Sequence, residues 1–479
     1  RLADEKSSQG HGTVALMRYT LRMLTTQQFQ RASSLICAME QMRREDEAKF
    51  GEPVFSIGLW LGGAGSPNTT KAARTEINRF KDDKIKGNPL VLTECPWCRC
   101  AIGMAEGSQP PRMKTREWKD LRLAGVKPDG DVPRLVCPDS ACDFGKRDPK
   151  KWIPVEVVDE LIYDSPPSLV IATADKLAML AYRPQAGTIF GVKHTNGKLT
   201  RIAPPPSLII QDELHLISGP LGTMYGLYES VFEDLCTDKD NGYFHKPKII
   251  ASTATIRGAA AQVKSVYNRD NIQLFPSPGL EMSDSFFGKY ARSDDGKLKE
   301  GRLYLGIHAN GYGSIMTAQV RAFATSIFAP WFFKDQKSKD PWWTLLAFYN
   351  SIRELGGAKT LFSSDIRSRL KYMFNREGVD KDKRRKMGEA QELTSRLSQA
   401  EIVQMMDMLN VSLNQDEFRC LSACLASNII EVGVDIDRLS LMGVVGQPKS
   451  TSSYIQITGR VGRRWWDRPG LILTIYNPS

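Results

Sequence analysis

Residues 208–215 read Leu-Ile-Ile-Gln-Asp-Glu-Leu-His, three apolar residues running into two adjacent carboxylates. An apolar run that stops on acids reads as a buried strand whose end carries charge to a cleft. Carboxylates so placed can serve a Mg2+ ion and an attacking water. Asp212 is then the metal-side candidate, Glu213 the base that orients the nucleophile, and His215 completes the group. Alone, the tetrapeptide decides nothing, because acidic strand ends are common and most are merely solvated.

The same rhythm recurs outward from it. Residues 14–17, 54–59, 169–172 and 248–251 are further short apolar runs, each ending in polar or Gly-rich residues. A second set follows at 345–348, 420–424, 441–445 and 471–475. Helical patterns between such runs predict an α/β fold with parallel sheets. Two sheets fit better than one, with the boundary at the linker-like Phe275-Pro-Ser-Pro-Gly. The expected organisation is a first domain over 1–275, a linker and mixed insert over 276–340, and a second domain over 341–479. Residues 92–150, rich in Cys, Lys, Gly and Pro, read as an insertion in the first domain.

At 479 residues the chain exceeds one ordinary domain, and 41% hydrophobic with 25% charged residues suits a globular protein. No apolar run has the length of a membrane span, and Arg1-Leu-Ala-Asp-Glu-Lys is no secretory signal. The net charge of +11 favours a polyanionic partner, although it also serves solubility. Nine mostly scattered cysteines argue against a secreted disulfide scaffold and for a reducing cytoplasm. The run Lys381-Asp-Lys-Arg-Arg-Lys386 reads as a solvated loop.

Thr253-Ala-Thr255 follows the run at 248–251, and its hydroxyls can bond the acidic loop and couple it to a neighbouring element. Near the end, Gln456-Ile-Thr-Gly-Arg460-Val-Gly-Arg463 sets two arginines three apart, each after a glycine. A guanidinium reaches two phosphate oxygens at once, as an arginine finger does. The glycines admit a nucleotide or a second backbone.

Taken in order, Asp212-Glu-Leu-His215, Thr253-Ala-Thr255 and Gly459-Arg-Val-Gly-Arg463 resemble motifs II, III and VI of superfamily 2 helicases. Arg18-Tyr-Thr20-Leu-Arg22 resembles motif Ia, Thr173-Ala-Asp-Lys-Leu177 motif Ib, and Phe348-Tyr-Asn350-Ser351 motif IV. Ala426-Ser427-Asn-Ile-Ile-Glu431-Val-Gly433-Val-Asp435 resembles motif V. The resemblance implies two RecA-like domains in tandem, with ATP and Mg2+ as cofactors. It implies nucleic-acid contacts at Arg18, Thr20, Thr173, Asn350, Ser351 and Ser427, mostly to phosphates. It also implies nucleotide contacts at Gln456, Gly433 and Asp435, coupling through Thr253 and Thr255, and Arg460 and Arg463 at the γ-phosphate. The phosphate-cradling G-x-x-x-x-G-K-S/T of motif I has no match. Leu61-Gly-Gly-Ala-Gly-Ser66 lacks the lysine and follows motif Ia, so that element is expected upstream of residue 1.

Longer phrases narrow the resemblance. Gln211-Asp-Glu-Leu-His-Leu-Ile-Ser-Gly-Pro-Leu-Gly222 and Met442-Gly-Val-Val-Gly-Gln-Pro-Lys449 are similar to the helicase subunits of bacterial DISARM anti-phage systems. That implies a DNA helicase or translocase acting on DNA with single-stranded regions. It further implies work beside a second DISARM subunit, DrmB, which carries a helicase-associated domain. An ATPase-inactive nucleic-acid scaffold and an RNA helicase stand as alternatives, since phosphate contacts do not separate DNA from RNA.

Cys95-Pro-Trp-Cys98 and Cys137-Pro-Asp-Ser-Ala-Cys142 offer two thiol pairs flanking the stretch 99–136. The C-x2-C knuckle is a standard way to present two thiolates to tetrahedral Zn2+, so a zinc-ribbon-like insert is expected, with Cys100 as a spare. Arg112, Lys114, Arg116, Lys119 and Arg122 make the insert basic enough to touch nucleic acid or a partner. Cys37, Cys236, Cys420 and Cys424 read as core residues.

Overall fold

A computed structural model describes the chain except residues 1–11, 20–21, 62–65, 83–88, 104–113, 131, 147, 149–150, 174–175, 177, 196, 218, 241–242, 254–257, 277–279, 282, 312, 398, 428–429, 431–435, 465–468 and 478–479. Thr20, Thr255, Gly433 and Asp435 lie outside the described residues. Two compact units divide the rest, Arg1–Ile272 and Gln273–Ser479.

The first unit is built on six strands: β1 (Ala15–Tyr19), β2 (Ile57–Trp60), β3 (Val155–Glu156), β4 (Leu169–Thr173), β5 (Leu208–Gln211) and β6 (Lys248–Ala251). They line up in the order β6-β5-β1-β4-β2-β3, and every pairing is parallel. Parallel strands need crossovers, which is why apolar runs alternate with helices such as Arg22–Glu45 and Gly219–Cys236. Leu16, Trp60, Val170, Ala172 and Ile209 form the centre of the core. β3 is only two residues long and carries too little pattern to be read from sequence.

The second unit repeats the plan with β7 (Arg302–His308), β8 (Leu345–Tyr349), β9 (Gln391–Leu393), β10 (Ala423–Ala426), β11 (Leu441–Val445) and β12 (Gly470–Tyr476). Their order is β7-β12-β11-β8-β10-β9, again parallel throughout. Two tandem parallel α/β sheets of this kind are RecA-like domains.

The stretch 276–340, expected as linker and insert, needs correction. β7 pairs with β12 along seven residues, and the helix Ile315–Phe328 sends Phe323, Ala324 and Ile327 into the core. Phe323 fits because residue 443 of β11 is glycine; a Cβ there would come 2.3 Å from its ring. Residues 302–328 are thus structural parts of the second domain. The basic run at 381–386 is also not wholly solvated. Arg385 is buried, stacks 3.8 Å from the Trp343 ring and donates to the Ile327 carbonyl at 2.7 Å.

The insert at 92–150 contains a helix, Thr115–Arg122, and a hairpin of Val126–Asp129 with Val132–Leu135. Arg122, read as part of its basic surface, is instead buried, with its Nε donating to the Phe80 carbonyl at 2.7 Å. Among the described residues, no helix is long and apolar enough to cross a membrane.

Candidate functional site

The turn after β5 is held from several sides. The Asp212 amide donates to the Arg18 carbonyl of β1 at 3.0 Å, prolonging the β1–β5 pairing beyond the strand end. Glu213 then takes φ 49°, a left-handed conformation uncommon for a side-chain-bearing residue, and opens a single 3-10 turn, Leu214–Leu216. Its amide donates to Asp212 Oδ1 at 3.0 Å, and the Ser252 hydroxyl bonds the same oxygen. Asp212 Oδ2 has no protein partner among the described residues. Gln262 Nε2 donates to the Leu214 and Ile217 carbonyls at 2.9 and 2.8 Å. His215 Nδ1 lies 3.4 Å from Glu213 Oε2. Burial, and then the charges of Asp212 and Glu213, raise the Tyr19 phenol and keep it neutral.

Beneath this turn is a buried polar layer. Gln211 Nε2 donates to the Asp212 carbonyl at 2.9 Å, and its Oε1 accepts the Tyr225 hydroxyl at 2.7 Å. Arg18, alongside Gln211 in the sheet, forks onto Glu229 at 2.7 and 3.1 Å, with the Tyr225 and Tyr267 rings 5.5 and 5.9 Å from its guanidinium. Burial pushes the Glu229 carboxyl up, against the opposing pull of Arg18.

Arg18, expected at the nucleic acid, is instead 0% exposed, with both terminal nitrogens on an internal carboxylate and its Nε without a partner among the described residues. Thr173 and Ser427, also expected at the nucleic acid, are buried at the ends of β4 and β10, at 1% and 5% exposure. Asn350 is exposed, and its Nδ2 donates to the Val445 and Gly446 carbonyls at 3.1 and 2.8 Å. Ser351 caps the helix Ile352–Ser363, its hydroxyl accepting the Glu354 amide at 3.2 Å. Thr253 is exposed beside Ser252. Sequence reasoning missed Ser252, Gln211, Tyr225 and Glu229. A glutamine closing an otherwise apolar strand was the available signal.

In the second domain, Gln456 lies on the helix Thr451–Thr458, whose Ser450 cap accepts the Ser453 amide at 3.1 Å. Gln456, Arg460 and Arg463 are half-buried. Gly462 has φ 62°, and a Cβ on it would lie 2.7 Å from Gly470 Cα. The second glycine of this motif thus admits a strand backbone, not a nucleotide. Arg302 bonds the Val461 and Gly459 carbonyls at 2.8 and 3.2 Å and fixes the loop from β7.

In the insert, the sulfurs of Cys95, Cys98, Cys137 and Cys142 all lie within 4.8 Å of one another. A tetrahedron with Zn–S bonds of about 2.3 Å has sulfurs roughly 3.8 Å apart, so the set fits Zn2+. Burial raises the Cys142 thiol to about 11, a pull that a divalent cation would reverse. Gly145 closes the second knuckle because a Cβ would strike the Asp139 carbonyl oxygen at 1.9 Å. The knuckles dock on the helix Arg22–Glu45: Ser34 donates to the Pro96 carbonyl at 2.8 Å, and Arg44 covers the Phe144 ring at 4.7 Å.

Residues 345–464 match the helicase conserved C-terminal domain. The chain is 37% identical over 498 aligned positions to DISARM protein DrmA of Bacillus paralicheniformis, an alignment covering 98% of this chain and 42% of that protein. The chain thus carries a match to a helicase C-terminal domain and is similar over nearly its whole length to a DISARM protein. The chain spans less than half the length of that relative. Among solved structures it is similar to Mycobacterium smegmatis helicase Lhr bound to ssDNA and AMP-PNP, at 14% identity and TM-score 0.49, covering 99% of this chain and 40% of that one. It is also similar to the DUF1998 helicase MrfA bound to DNA and AMPPNP, at 14% identity and TM-score 0.45, covering 98% and 46%.

Proposed function

We propose that the chain is the motor of an ATP-dependent DNA helicase or translocase serving a DISARM anti-phage system in the bacterial cytoplasm, with DrmB as its partner. The observation that carries this is the braced Asp212–Glu213 turn, in a chain similar to a DISARM protein over nearly its whole length.

A magnesium-bound ATP supplies the phosphoryl group. Asp212, with Oδ1 committed to Ser252 and the Glu213 amide, keeps Oδ2 for a water of the Mg2+ shell. Glu213 accepts the proton of the attacking water. His215 is close enough to steady that carboxylate. Arg460 and Arg463 offset charge developing on the γ-phosphate, and Gln456, Gly433 and Asp435 complete the nucleotide contacts. Asn350 and Ser351, with Thr20, contact the strand, while Thr253 and Thr255 couple the acidic turn to it. Cys95, Cys98, Cys137 and Cys142 hold a structural Zn2+.

Nucleic-acid-stimulated ATPase of the full-length protein tests the motor. Glu213→Gln should lower the rate by about 100-fold or more, the scale of a lost general base, and Arg463→Ala by a similar factor. Wild-type turnover in both variants sinks the reading. Competition between matched DNA and RNA strands at fixed salt separates the DNA motor from an RNA helicase. Metal analysis should find one zinc per chain, lost in Cys98→Ser together with resistance of the insert to protease.

A further inference from the structure

A cavity of about 660 Å3 opens in the second domain at the carboxyl ends of β8 and β11, lined by Tyr349, Asn350, Val445 and Gly446 among others. Its walls are the helix Ile315–Phe328, which precedes β8, and the helix Ile352–Ser363, which follows β8. Open α/β sheets take their ligands outside the carboxyl ends of their strands, and the volume lies in the range of ligand sites.

We infer that this crevice accepts an unstacked nucleobase of the bound strand; the inference rests on the nucleic-acid reading above. Its floor is largely apolar, with Gly357 and Ala358 on one helix and Met316 on another. A Cβ at Gly357 would meet nothing within 4 Å, so this stretch of helix is bare. Two amides line the space. Gln319, 5% exposed, accepts the Tyr349 hydroxyl through Oε1 at 3.2 Å, which leaves Nε2 as a donor with no protein partner among the described residues. Asn350 spends Nδ2 on two carbonyls, which leaves Oδ1 as an acceptor. One donor and one acceptor suit a base edge, which carries both. Arg353 and Glu354 adjoin at the cavity wall with opposite charges, so a phosphate gains little there and a neutral heterocycle loses nothing.

The test uses full-length protein and single-stranded oligonucleotides carrying 2-aminopurine at successive positions. Gly357→Leu fills the floor; Gly356→Leu, on the same helix, equally open and not lining the cavity, is the control. On binding to the wild type, the fluorescence of one position should change. Gly357→Leu should abolish that change and weaken binding about 5-fold, the low end of what a stacked base contributes. A strand abasic at that position should bind both proteins equally, and Gly356→Leu should match wild type. If no position responds, or Gly357→Leu binds intact and abasic strands as wild type does, the pocket assignment is overturned. If the wild type binds no strand, the nucleic-acid reading falls and takes the pocket with it, an outcome distinct from the first.

Discussion

The two sheets fix the loops at their strand ends by opposite means. In the first domain the Asp212–Glu213 turn rests on buried polar side chains: Arg18 on Glu229, and Tyr225 on Gln211. In the second, the arginine loop rests on bare backbone, Gly462 against Gly470, with carbonyls gathered by Arg302. Interior polar layers hold geometry only while every member is satisfied, because an unpaired buried charge is costly. A glycine contact has no partner to lose but tolerates no added atom. The acidic turn is thus exposed to deletions and the arginine loop to additions.

That contrast can be broken experimentally. The largest effect should come from Glu229→Ala, which strands the Arg18 charge at 0% exposure and should cost about 3–5 kcal/mol in urea unfolding of the first domain. Gly462→Ala adds one methyl and should cost about 2–3 kcal/mol, combining a disfavoured backbone with a steric clash. If Gly462→Ala is the costlier of the two, the ranking of charge burial above backbone contact is wrong. The smallest change, Tyr225→Phe, removes one hydroxyl from Gln211 and should cost about 1–2 kcal/mol. It should also lower ATP turnover more than ATP affinity, because Gln211 bonds the Asp212 carbonyl; unchanged turnover would show the layer to be purely structural.

The sheets were legible because parallel strands buried on both faces leave near-continuous apolar runs, as at 169–172 and 441–445. β7 was not, since Arg302-Leu-Tyr-Leu-Gly-Ile-His308 is an exposed edge strand with mixed polarity. The four zinc-type cysteines were legible from spacing alone, and their sulfurs converge. Arg18, Thr173 and Ser427 were misplaced for one reason: a motif fixes which strand end a residue occupies, not which way its side chain points. Period-2 alternation turns neighbours to opposite faces, and burial of Arg18 required a carboxylate 211 residues away that no local pattern announces.

The paired glycines at 462 and 470 also set a mechanical ratio. Arg463 follows the first directly, and β12 begins at the second, so their backbones touch with no side chain between them to deform. A displacement at the start of β12 passes to Arg463 undamped, as through a rigid pin. A side chain at either position would be a spring, and the guanidinium would then lag behind the sheet that carries it.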